Sequence, residues 1–183
     1  FGVKLTNGKL AMILDNGTTA LDASGDVSLI GFSEVSLSGS VQMRFNNTLG
    51  EVHETFDVNG TPLSLDFGAN ETNVARFEAL NATMTTPVSS LTGDFVFEKD
   101  GTTNEVFVGA NNIDLFVGDD RDTPTQSDDL GVLIQNASFA MLLLPGGSYA
   151  LDVNGMATIL NVTGLQFDSS LGVQINTTGM DVM

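Results

Sequence analysis

The chain has no cysteine, no tryptophan, one tyrosine, one histidine, four prolines and only six lysines and arginines among its 183 residues. Each shortage removes a class of answer. Without cysteine there is no disulfide staple, zinc ribbon, iron–sulfur cluster or thiol nucleophile. Six basic residues face 23 acidic ones, for a formal net charge of −17. A field of that sign repels nucleic-acid phosphates and anionic headgroups and draws divalent cations. Only 16% of residues are charged, so the acidity comes from missing lysine and arginine more than from abundant carboxylate. The lack of tryptophan and near lack of tyrosine deny the aromatic girdles of a transmembrane barrel. The longest apolar run, around Phe139–Leu144, is far too short for a membrane helix. The composition implies a soluble protein with no membrane span and no nucleic-acid partner.

Helical spacing is nearly absent as well, and what replaces it is strict alternation. Val35, Leu37, Gly39, Val41, Met43 and Phe45 share one face, with Ser36, Ser38, Ser40, Gln42 and Arg44 on the other. Leu21–Gly31 and Leu91–Phe97 read the same way. Between such runs lie Asn7-Gly8, Asn16-Gly17, Asn59-Gly60, Asp100-Gly101 and Asn154-Gly155, pairs that suit tight hairpin turns because they accept positive φ. The segments ASGDVSLIG at 23–31, LSGSVQMRF at 37–45 and LTGDFVFEK at 91–99 share a small residue and a glycine leading into an alternating strand. Glycine there marks a bend or a close approach of backbones. The reading is all-β: an elongated, multi-stranded antiparallel meander with solenoid-like stacking of repeats, a β-sandwich being the alternative.

The end of the chain repeats its beginning. FGVKLTNGKLAMILDNG at 1–17 returns as LGVLIQNASFAMLLLPG at 130–146, and ALDASGDVSLIG at 20–31 returns as ALDVNGMATILN at 150–161. The match continues until FNNT at 45–48 meets INTT at 175–178. The period is thus 130 − 1 = 129 residues, rising to 150 − 20 = 130 after a one-residue offset. Residues 1–129 read as a first unit and 130–183 as the start of a second, within a longer polypeptide. Serial units of this kind build elongated objects more readily than a single catalytic pocket.

These residues carry a resemblance. GVxLxNxxxAMxL, YALDxxG, LxGxxxxxLSG and NTTG, with the continuation VARFEAL…LTGDFVFEK…TNEVFVGANNIDLFVGDD, resemble tandem repeats of very large exported bacterial proteins. The resemblance covers essentially the whole chain. It implies an extracellular or cell-surface location and a structural or adhesin-like role, with no enzymatic activity and no catalytic residues to carry over.

Three features invite a site. GDDRDTPTQSDD at 118–129 holds Asp119, Asp120, Asp122, Asp128 and Asp129, enough carboxylates to fold around calcium, although the spacing is neither an EF-hand nor a β-roll nonapeptide. The bland reading is a solvated acidic loop where two units join. Asn-x-Ser/Thr triplets begin at Asn16, Asn46, Asn59, Asn70, Asn81, Asn136, Asn161 and Asn176. They offer glycan attachment on a surface, with Asn46 and Asn176 at matching positions of the repeat. They also arise wherever asparagine starts turns and threonine fills strands. His53, between Glu51 and Glu54, alternates with Val52 and Phe56 and so falls on a strand's polar face, a poor place for a general base.

The sequence therefore leads to a structural repeat of a giant extracellular bacterial protein, forming a surface fibre, sheath or filament. Its partners would be neighbouring repeats or copies of the same protein, with divalent cations or glycans. The alternatives are a calcium-stiffened adhesin repeat and, third, an enzyme acting on extracellular polysaccharide.

Overall fold

The computed structural model describes residues 2–30, 36–86, 89–121 and 128–182, and the structural statements below concern those residues. Their strands are β1 (Gly2–Asp15), β2 (Thr18–Ile30), β3 (Ser36–Asn46), β4 (Val52–Val58), β5 (Thr61–Phe67), β6 (Val74–Thr86), β7 (Ser89–Asp100), β8 (Val106–Asp119), β9 (Leu130–Leu143), β10 (Tyr149–Leu160) and β11 (Asp168–Asn176). A single 3-10 turn at Ala69–Glu71 interrupts them, and no α-helix forms among the described residues. The alternating runs at 37–45 and 91–97 fall within β3 and β7, and that at 21–31 falls within β2 as far as Ile30, Gly31 lying outside the described residues, as does Val35.

Nine strands make one antiparallel sheet in the order β1-β2-β3-β6-β7-β8-β9-β10-β11, while β4 and β5 form a separate hairpin. The chain is thus a meander with one excursion. The repeat in sequence is also a repeat in register. Ile13 pairs with Ala20 as Leu142 pairs with Ala150, and Asp22 pairs with Arg44 as Asp152 pairs with Gln174. β9, β10 and β11 therefore reproduce β1, β2 and β3, six strands further along one continuous sheet.

The two faces of this sheet differ. One carries rows such as Leu10, Ala23, Met43, Phe77, Phe97, Val108, Met141, Leu151 and Ile175, each paired with the next across neighbouring strands. Among the described residues no other element covers this apolar row, and Phe77 and Phe97 are 46% and 45% exposed. The other face is polar in its middle strands, with Asp22, Arg44, Arg76 and Glu98 in register.

The β4–β5 hairpin folds onto this second face, over β1 and β2. There Leu65 and Phe67 are fully buried against Ala11, Ala20 and Val74, with Ile13, Val52 and Phe56 around them. Small residues beneath the hairpin let it approach closely. Burying a leucine and a phenylalanine stabilises the arrangement by roughly 1.5–3 kcal/mol for each side chain. A second layer as wide as the first, which a sandwich requires, does not form among the described residues.

Two of the expected turns are something else. Asn16-Gly17 and Asn59-Gly60 do make hairpin turns, with φ of 45° and 88°, and of 53° and 80°. Asn7-Gly8 lies inside β1 and Asn154-Gly155 inside β10. The left-handed conformation at Asn7 (φ 54°) serves a β-bulge that sets Asn7 and Gly8 opposite Gly25 alone. Positive φ suits a bulge as well as a turn, so the dipeptide does not tell them apart.

Candidate functional site

The bulge at Asn7 belongs to a band that crosses the sheet. Asn81 on β6, Asn112 on β8 and Asn136 on β9 have φ of 49°, 53° and 50°, and each sits at a register shift. Opposite them stand Gly39, Gly93 and Gly155. At Gly39 glycine is required: a Cβ there would lie 2.9 Å from the Ala82 Cα, and Gly39 itself has φ 149°. A Cβ at Gly93 would lie 2.1 Å from Ile113 Cδ1. Bulges bend their strands and increase local twist, so a band of them places those bends along one line of the sheet.

Carboxylates bind this band together. The Asn7 side chain donates to Asp26 (2.8 Å), as does the Ser40 hydroxyl (3.0 Å). The Asn81 N–H donates to Asp94 (2.8 Å), as does the Asn112 side chain (2.9 Å). The Asn136 N–H donates to Asp114 (2.9 Å). Hydrogen bonds from Asn7 and then Ser40 hold the Asp26 carboxyl below its ordinary value, and those from Asn81 and then Asn112 do the same for Asp94. The sequence shows the small-residue–glycine echo, but its Asn7, Asn81 and Asn136 stood out only as turn or glycan positions unrelated to that echo, and Asn112 did not stand out at all. The signal was there in TNG, LNA, NNI and QNA lying across from SGD, SGS, TGD and NGM.

Arg44 organises the hairpin-covered end. Its guanidinium pairs with Glu71 and with Asp22 (3.3 Å), donates to the Asp66 carbonyl, and stacks 4.5 Å from the Phe67 ring centroid. One cation thus fixes β2, β3, β5 and the 3-10 turn together.

The triplet asparagines divide by local role. Asn16 and Asn59 occupy hairpin turns, Asn81 and Asn136 occupy bulges, and Asn161 has φ 52° just beyond β10. Asn70 lies in the 3-10 turn. Asn46 is fully buried, and its side-chain amide donates to the carbonyls of Gly50 (3.1 Å) and Glu71 (2.9 Å). Its side-chain oxygen accepts from the Thr48 N–H and hydroxyl. Asn176 repeats this loop with Thr178 and Met180, yet is exposed. A sugar on Asn46 would have to displace both carbonyls, whereas Asn176 has open space around it. Each triplet has a local conformational job, and five of the eight asparagines use the left-handed region that asparagine tolerates better than most residues.

The acidic segment is only partly described, and Asp122 lies outside the described residues. Asp119 ends β8, where its carboxylate accepts from the Arg121 N–H (2.9 Å) and faces the Arg121 guanidinium at 3.5 Å. Asp129 is 7% exposed. Burial, and then the charges of Asp128, Asp120 and Asp119, raise its carboxyl above the ordinary value. Among the described residues no three histidine, cysteine, aspartate or glutamate side chains converge on a point suited to a metal ion. His53 is exposed on β4 between Glu51 (3.2 Å) and Asp66, which in that order raise its pKa. That is a surface ion-pair arrangement.

Comparison with known proteins finds no family model, no curated protein and no solved structure that matches the chain.

Proposed function

We propose that the chain is a structural repeat of a giant extracellular bacterial protein, building a surface fibre, sheath or filament by lengthening one sheet. The observation that carries this reading is the return of the β1–β3 register in β9–β11 within a single sheet. A catalytic domain gains nothing from starting its own fold again six strands further on. A filament does, because each new unit pairs with the open edge of the one before it.

The polar face, with its excess carboxylate, keeps the object hydrated and repels like-charged neighbours. The apolar face supplies a surface on which copies associate side by side. Adding six strands lengthens the sheet by about 29 Å per unit, from a strand spacing of about 4.8 Å. Electron cryomicroscopy of a tandem array tests this. Strands should lie across the long axis with an axial repeat near that length, and separate compact bodies joined by flexible gaps would sink the reading.

A further inference from the structure

The two ends of the sheet have the same register and different cover. Under the hairpin, Ala11 is 7% exposed and Ala20 and Asn46 are fully buried. At the corresponding positions Ala140 and Asn176 are exposed and Ala150 is half-buried. In place of the hairpin there is an open groove of 650 Å³, lined by Phe107, Ala140, Leu142, Ala150 and Asn176 among others. Ala140 and Ala150 stand in it where Ala11 and Ala20 stand beneath β4–β5, with Phe107 and Leu142 beside them.

The chain also enters both places in the same way. After Asn46, the Thr48–Gly50 loop delivers the backbone into β4 at Val52. After Asn176, Thr178 and Met180 make the same loop, and Val182 lines the groove at 182 − 52 = 130 residues from Val52. One amide contact is left over. Asn46 donates to Gly50 and again to the Glu71 carbonyl that returns after the hairpin, whereas Asn176 donates only to Met180 among the described residues.

We propose that this groove is a receptor for a β-hairpin of the β4–β5 kind, supplied in cis by chain following the Asn176–Met180 loop. The hairpin would present an aliphatic and an aromatic side chain, as Leu65 and Phe67 do, onto Ala140, Ala150 and Phe107. The different partner at Arg44's position narrows the occupant's chemistry. Gln174 stands there and already donates to Asp152 (2.8 Å), so the occupant needs no acid equivalent to Glu71. The groove rests on the repeated register and not on the fibre reading, and the two fail separately.

The test extends the full chain after Met183 with a second copy of its own residues 54–86 and follows methyl and amide NMR signals against the unextended chain. The Ala140 and Ala150 methyls should shift and lose solvent contact in the extended chain only. Ala150→Arg should abolish the Ala140 change in the extended chain while leaving the thermal midpoint of the unextended chain within a few degrees. Protection of β11 amides without any change at Ala140 would mean that the sheet lengthens with the groove left open, which overturns the hairpin and spares the filament. Burial of Ala140 in the unextended chain through dimerisation would overturn it too, since a second copy would then be the occupant.

Discussion

Ala20 and Ala150 hold the same place in the same pairing pattern, one fully buried and the other open to a groove. The difference in burial between the two ends does not come from strand pairing, which repeats. It lies in the hairpin, which buries Leu65 and Phe67 at one end. Backbone pairing sets where residues stand, and a second layer sets what each is worth. Asparagine shows this most plainly: Asn46 and Asn176 make the same local loop, but only Asn46 is sealed from water.

Substitutions at matched positions can break or sharpen that contrast. The largest effect is expected at the hairpin itself. Phe67→Ala should cost roughly 3–5 kcal/mol in denaturant unfolding, because it empties a fully buried site and removes the stacking partner of Arg44. A loss well below that would mean the hairpin contributes little to the fold.

Next come the paired asparagines. Asn46→Ala should cost about 1–3 kcal/mol by emptying a fully buried polar position and removing its bonds to the Gly50 and Glu71 carbonyls and the Thr48 N–H, whereas Asn176→Ala should stay within about 0.5 kcal/mol. Equal costs measured in the same unfolding assay would show that the loop, and not the cover, carries the energy.

The smallest expected effect is on pH dependence along the bulge band, which both ends share. Hydrogen bonds depress the Asp26 and Asp94 carboxyls in the fold, so their contribution is present above the ordinary value of 3.8. It is lost as pH falls through the lower, folded value. Asp94→Asn should therefore be less stable than the parent at neutral pH, and the gap should close on acidification below that range. A gap independent of pH would remove the carboxylate from the account of the bulge.

Much of the fold was legible in single residues. Alternation at 21–31, 37–45 and 91–97 marked three strands, and Asn16-Gly17 and Asn59-Gly60 marked two turns. Asn7-Gly8 misled because the φ preference of a short dipeptide is local, while the choice between turn and bulge depends on which strand lies opposite. The candidate sites were less legible for the same reason. Asn46 and Asn176 look alike in sequence, and only the return of Glu71 over one of them decides which is buried.

By itself the sequence determined the β class, the antiparallel meander and the 129–130-residue period, since each follows from contacts between near neighbours or from self-similarity. The tertiary structure alone decided that β4 and β5 leave the sheet and fold back over it. It also decided that four asparagines and their facing glycines align into one band, and that a groove stands where the second cover would lie. Those outcomes depend on pairings between residues far apart in the chain, and alternation records which face a side chain takes without recording what comes to lie against it.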